Sequence, residues 1–245
     1  MTWSIVARDA HGALGVAVAS RFFAVGALCP HARSGVGALA TQALVNPGYG
    51  PAGLDLLARG VAVTQVVDAL VDADAGHEHR QVHVVDAEGR SARYTGAQCI
   101  DWCGDLAGER FSVAGNMLAG ERVLRDTADA FVRHAHLPFA ERLLVAMEAG
   151  EAAGGDKRGK QAAALRIVTT EDYPALDLRV DDHADPLSEL RRLHDVSRER
   201  YQAFVSCLPS RARPAGITDR ALIEREIERF NADGGRGRSP PVAAS

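Results

Sequence analysis

Short apolar runs, punctuated by glycine and aspartate, dominate the first forty residues. Positions 3–8 and 14–20 are rich in Val, Ile and Ala, and Asp9-Ala-His-Gly12 separates them, which predicts a strand–turn–strand unit. Positions 22–29 and 35–42 read as two further strands, in which Gly26, Gly35 and Gly37 permit close backbone approach. All four runs are apolar at nearly every position, as in strands covered on both faces.

After the turn cluster Asn46-Pro-Gly-Tyr-Gly-Pro51 the period changes. Leu54, Leu57 and Ala58, then Val63, Val66, Val67, Leu70 and Val71, follow helical spacing, with Gly60 separating two helices. Residues 81–86 and 91–95 flank Glu88-Gly89-Arg90 as a hairpin, and 111–115 adds a short strand. Helical spacing returns over 123–132 and 140–149, strands over 161–168 and 176–180, and helices over 186–204 and 219–230. Helices thus come in pairs between blocks of strands. That order disfavours Rossmann and TIM arrangements and favours a layered α+β sandwich of antiparallel-rich sheets with helices outside. The expected organisation is one domain over 1–193, a helical C-terminal extension over 194–231, and a tail over 232–245 whose Gly, Arg, Pro and Ser content predicts disorder.

Composition narrows the function classes. Among 245 residues, 28 basic against 32 acidic side chains give a formal charge of −4, without the basic excess of a nucleic-acid binder. The apolar runs are too short for a membrane span and no signal-peptide pattern precedes Trp3, so a cytoplasmic protein without membrane partners is expected. The four cysteines, Cys29, Cys99, Cys103 and Cys207, lack zinc-site spacing and read as reduced structural thiols.

Candidate chemistry begins at the second residue. Removal of Met1 would leave Thr2 with a hydroxyl and a free α-amino group, a nucleophile beside its own base. The plain alternative is a β-branched residue opening a strand. His77, His79, His83, His134 and His136, with Asp182, raise a metal-dependent hydrolase as a competing idea, but no acidic or thiol cluster completes a ligand shell, so neither metal nor cofactor is expected.

Several stretches together resemble one family: Thr2-Trp-Ser-Ile-Val-Ala-Arg-Asp9, Gly15-Val-Ala-Val-Ala-Ser-Arg-Phe-Phe-Ala-Val-Gly26, Ala40-Thr-Gln42, Asn46-Pro-Gly-Tyr-Gly-Pro51, Gly115-Asn-Met-Leu-Ala-Gly120, Ala153-Gly-Gly-Asp-Lys-Arg-Gly-Lys-Gln161 and Leu178-Arg-Val-Asp-Asp-His183. The chain looks like a DUF1028 protein within the N-terminal-nucleophile (Ntn) hydrolase superfamily, which includes proteasome β subunits. The resemblance implies a four-layer αββα fold, and the Ntn scheme applied to Thr2 makes hydrolysis of an amide-like C–N bond the leading expectation for function. It departs from the proteasome pattern in having no lysine on the early strands, since Lys157 and Lys160 are the only lysines.

Within that scheme Asn116 is the candidate oxyanion donor, and Arg21 and Asp9 are candidate charge partners. Asp156, Arg158, Gln161, Gln42 and Asn46 are candidate substrate-binding residues, with the Arg158 fork suited to a carboxylate. Asn46-Pro also reads as ordinary turn chemistry, and the 154–161 stretch as a solvated loop. The expected partner is a small amide-like substrate, in a homo-oligomer whose subunits meet through broad apolar faces. The alternative class is a catalytically silent ligand-binding or assembly protein.

Overall fold

The computed structural model describes residues 2–233. The expectations for Met1 and most of the tail fall outside them. Ten strands and seven α-helices are present among the described residues: β1 (Thr2–Arg8), β2 (Leu14–Ser20), β3 (Pro30–Arg33), β4 (Gly37–Ala43), α1 (Tyr49–Ala58), α2 (Val63–Asp72), β5 (Arg80–Asp86), β6 (Ser91–Thr95), β7 (Trp102–Gly108), β8 (Phe111–Leu118), α3 (Arg122–Arg133), α4 (Phe139–Ala152), β9 (Ala162–Val168), β10 (Leu176–Val180), α5 (Pro186–Glu199), α6 (Tyr201–Val205) and α7 (Arg220–Ala232). The strands form two antiparallel sheets, one of six in the order β10-β9-β2-β1-β8-β7 and one of four in the order β3-β4-β5-β6. No described helix is long and apolar enough to cross a membrane.

Side-chain alternation divides the core into three apolar clusters. Trp3, Ile5 and Ala7 of β1 pack with Val123, Leu124 and Phe131 of α3, Leu143, Leu144 and Met147 of α4, and Leu187 and Leu190 of α5. Val6, Val16 and Val18 of the six-stranded sheet meet Ala38, Ala40 and Val85 of the four-stranded one. Leu39, Val82 and Val84 pack against Leu54 of α1 and Val63, Val66, Val67 and Leu70 of α2. Apolar residues on both faces of β1, β2, β4 and β5 are thus spent on two different neighbours, which explains their largely apolar runs.

Two strands differ from the sequence reading. Residues 22–29 form a turn and a 3-10 turn (Val25–Ala27), because Ala24 adopts φ 52° and Gly26 presses onto β9, where an added Cβ would lie 2.5 Å from Ala164 Cβ. The strand comes next, at β3, an edge position that tolerates Pro30 at its start. The unanticipated β7 is the other sheet's edge, and its half-exposed, glycine-containing sequence carries little strand signal.

The helix expected over 186–204 breaks at Arg200 (φ −149°) into α5 and α6, and the 193/194 boundary falls inside α5. Pro186 occupies the first turn of α5, and Asp219 caps α7 by accepting from the Ala221 and Leu222 amides.

Candidate active site

Thr2 is the first residue of β1, a central strand, and is held between β2 and β8 in direct register with Ser20 and Asn116. Its side chain alternates to the inter-sheet side with Ser4, and Thr2 Oγ1 lies 3.0 Å from Ser20 Oγ. Thr2 is buried, with 6% of its surface exposed. Two side-chain amides point at its carbonyl oxygen, Asn116 Nδ2 at 3.4 Å and Gln42 Nε2 at 3.5 Å. Both are long contacts.

Behind Thr2 the inter-sheet layer is polar. Gln42 Nε2 donates to Gln81 Oε1 (2.8 Å), which also accepts from Asn116 Nδ2 (3.2 Å). Gln81 Nε2 lies 2.9–3.0 Å from Thr95 Oγ1 and from the Gly104 and Gly115 carbonyls. Ser4 Oγ donates to Gln42 Oε1 (2.7 Å) and lies 2.8 Å from His83 Nε2, while His83 Nδ1 is 3.1 Å from Ser112 Oγ. Thr2, Ser4, Ser20, Gln42, Gln81, His83, Ser112 and Asn116 are all buried, and every one has its side chain bonded within the set. Such a layer is stable only because each buried polar group finds a partner. Burial pushes the His83 pKa down to about 3, so its imidazole is neutral.

The exit of β2 is fastened from outside. Asp156, on the loop between α4 and β9, is buried and accepts from the Arg21 amide through Oδ2 and from the Arg158 amide through Oδ1, each at 2.8 Å. Arg158 Nη2 reaches the Arg21 carbonyl (3.1 Å) and Asp156 Oδ2 (3.4 Å). Leu118, two residues after Asn116, bridges to Asp156 in the antiparallel sense. Asp156 therefore ties together the ends of the strands on either side of Thr2, β2 through its carboxylate and β8 through its backbone.

The remaining candidates are dispersed. Asp9 follows the opposite end of β1, roughly 20 Å from Thr2 at the rise of a strand, and its carboxylate caps the turn by accepting from the His11 and Ala13 amides. Asn46 is turn chemistry: its Oδ1 accepts from Gly48 N, and its amide donates to Asp74, which also receives Tyr49, Gly76 and Arg80. Gln161 donates to Asp182, and Arg158 Nη2 is engaged by the Arg21 carbonyl and Asp156. The Arg21 guanidinium is exposed, with its contact at 3.5 Å on the Arg158 carbonyl. Lys157 pairs with Asp101, and Lys160 with Glu151 and Asp185.

The histidines separate too. His77 bonds Tyr94 and His134 bonds the Ala130 carbonyl, and no group of three or more potential metal ligands occurs among the described residues. Two clefts of about 330 and 470 Å³ lie elsewhere, one lined by His31, Arg33, Arg166 and Asp172, the other by Val36, Leu57, Asp86 and Arg90.

Sequence reasoning passed over Ser4, Gln81 and Ser112, and weighed His83 only as a metal ligand. Their signal is legible in retrospect: Thr2 and Ser4, Gln81 and His83, and Ser112 and Asn116 are polar at strand period in otherwise apolar runs. Gly115 beside Asn116 is a close-packing residue, where an added Cβ would lie 2.4 Å from Leu118 Cδ1, and the positive φ falls on Met117 (51°).

The architecture and the site define an α+β protein of two antiparallel sheets with a polar layer in the inter-sheet space that reaches Thr2. The chain belongs to DUF1028, a family of unknown function, whose model matches residues 2–190. It is similar to the crystal structure of a DUF1028 protein from Silicibacter pomeroyi, with 30% identity and a TM-score of 0.83 over 89% of this chain and 96% of that one. A more distant likeness is to Anbu (ancestral beta-subunit) from Yersinia bercovieri, at 12% identity and a TM-score of 0.42 over 80% of this chain and 93% of that one. No curated protein matches the chain.

Proposed function

We propose that this protein is an Ntn-type amidohydrolase that cleaves an amide-like C–N bond through Thr2. The observation that carries the reading is Thr2 itself. It opens a central strand, is fixed by register between Ser20 and Asn116, and has its hydroxyl 3.0 Å from a second hydroxyl. The helix–sheet–sheet–helix order of the three apolar clusters supports the four-layer αββα arrangement that the reading requires.

Cleavage after Met1 creates the base. An α-amine has a reference pKa near 8, so part of it is neutral at about pH 7 and can take the Oγ1 proton. The freed oxygen attacks the substrate carbonyl, the leaving amine departs with that proton, and water hydrolyses the resulting ester. Asn116 acts here by holding the Thr2 carbonyl, since both its amide hydrogens are committed to Thr2 O and Gln81 Oε1. Arg21 supplies the positive charge at the rim, a role an arginine fills by pairing and not by proton transfer.

A second reading, a silent fold that binds ligands or assembles, draws on one observation: Thr2 is buried and hydrogen-bonded on every side that carries polar atoms. Intact-mass and N-terminal analysis of purified protein, followed by a β-lactone acyl probe, separates the two. The hydrolase reading expects a terminus at Thr2, labelling at that residue, and loss of labelling in Thr2→Ala or after an extra residue blocks the amine. Retained Met1, or equal labelling of Thr2→Ala, overturns it.

A further inference from the structure

The Ser4–His83 pair looks at first like a nucleophile and its base, at 2.8 Å. It is not built for that. Both residues are wholly buried, and Ser4 gives its one hydroxyl proton to Gln42 Oε1 at 2.7 Å. The direction of that bond has consequences. A hydroxyl carries a single donor, so the proton between Ser4 and His83 must come from the imidazole. Nε2 is then protonated and Nδ1 is the acceptor, so Ser112 Oγ turns its one proton to Nδ1 at 3.1 Å in preference to the Leu106 carbonyl at 3.5 Å. The imidazole must be neutral for this arrangement, and its burial holds it so.

The polarity passes outward. With Oε1 turned to Ser4, the Gln42 side chain presents Nε2 to Thr2 and Gln81. From the opposite side, the Gly104 and Gly115 carbonyls require the nitrogen of Gln81, which leaves Gln81 Oε1 to accept from both Gln42 and Asn116. Two independent anchors thus impose the same orientation on the amides between them. The result is a pair of N–H groups converging on the Thr2 carbonyl oxygen.

We infer that His83 is a positioning residue for Thr2, acting through Ser4 and Gln42 to fix the strand end from which the hydroxyl projects. This rests on the amidohydrolase reading above. An apolar inter-sheet layer, like the one a few residues further along β1 at Val6, would hold the sheets together equally well. It would not present donors to residue 2.

The test uses the full-length protein and a β-lactone probe, with the rate of Thr2 acylation resolved into a limiting rate constant and a half-saturating concentration. Gln42→Glu is close to isosteric but turns an acceptor toward the Thr2 carbonyl. His83→Leu removes the imidazole proton that sets the polarity. Each is expected to lower the limiting rate constant roughly 10- to 100-fold, the loss that a misplacement of about 1 Å produces, with half-saturation unchanged. A merely structural role would reduce the fraction of molecules that label and leave the rate constant of the rest intact, which overturns the inference.

Nitrogen-detected NMR of the wild type adds a readout that does not depend on acylation. His83 is expected as the neutral, Nε2-protonated tautomer, and the other tautomer or a charged ring at pH 7 overturns the inference. If wild type fails to label while the tautomer is as expected, the amidohydrolase reading falls and the positioning role falls with it. If wild type labels and both variants match its rate constant, the inference alone falls.

Discussion

Asp156→Asn tests whether the carboxylate outside the site sets the strand ends inside it. The two oxygens of Asp156 accept two different backbone amides, Arg21 N and Arg158 N, each at 2.8 Å, and the side chain is 1% exposed. An asparagine can keep one of those bonds with its oxygen. Its NH2 then faces the other N–H, donor against donor. The lost charge-assisted bond is worth about 1.5–3 kcal/mol, and the surviving bond weakens when its acceptor becomes neutral. Easier burial of the neutral amide offsets part of this, leaving a net cost of about 2–3 kcal/mol. In a chain of this size each kcal/mol shifts the melting temperature by roughly 2–4 °C, so a fall of roughly 4–12 °C is expected.

Arg158→Ala supplies the control. It keeps both backbone amides and removes the side chain whose guanidinium is 41% exposed, 3.4 Å from the carboxylate and 3.1 Å from the Arg21 carbonyl, and costs less than about 1 kcal/mol. Thermal unfolding followed by circular dichroism or calorimetry at pH 7 measures both. An Asp156→Asn variant melting within about 2 °C of wild type, or an Arg158→Ala variant equally destabilised, refutes the assignment of the clamp to the backbone amides.

Two further outcomes follow from packing and titration. Gly50→Ala would place a Cβ 2.2–2.4 Å from the His31 ring, whose Nε2 is bonded to the Leu28 carbonyl, and is expected to cost about 1–3 kcal/mol. In a His31→Ala background that penalty should largely vanish, which a double-mutant cycle by urea unfolding checks. The Asp74 carboxyl is held well below the usual carboxylate range, first by the Asn46 amide and further by the Gly76 amide, Tyr49 hydroxyl and Arg80, against the opposing effect of burial. Its stabilising contribution is therefore complete above the unfolded value of about 4 and is lost as the pH falls through the lower folded value. The difference in urea midpoint between wild type and Asp74→Asn should be constant from about pH 7 to 5 and shrink below about pH 4.

Much of the fold was legible because each buried strand and each amphipathic helix serves one or two apolar clusters, and period alone reveals that. β1, β2, β5, β6, β9 and β10 sit within a residue or two of where alternation and turn residues put them. The failures share a physical cause. β3 and β7 are edge strands, where one side of the backbone is unpaired and the side chains need not be apolar, so Pro30, His31 and Arg33 could form a strand without reading as one. In residues 22–29 the apolar character has other causes: Val25 and Gly26 pack down on β9 without joining the sheet, and Phe22 and Phe23 are exposed.

The site divides along the same line. Thr2, Asn116 and Gln42 were found because their segments could be placed on strands, and register then brings them together. Asp9 was grouped with Thr2 because they share one short strand, yet a seven-residue strand separates its ends by most of the width of a small domain. Sequence proximity on a strand argues for distance, and only the i, i+2 relation argues for a shared face. That relation joins Thr2 to Ser4, Gln81 to His83, and two steps of it join Ser112 to Asn116. Three strands carrying polar pairs on the same inward face are a costly pattern, since each group must find a partner in a layer that valines could fill. The polar groups run from Thr2 through Ser4 and His83 to Ser112, which stands in register with Val6, while Val6, Val16, Val18 and Val85 fill neighbouring positions of the layer. A fold needing only cohesion would have no reason to place polar groups among those valines, and the Gln42 and Asn116 amides tie the network to Thr2.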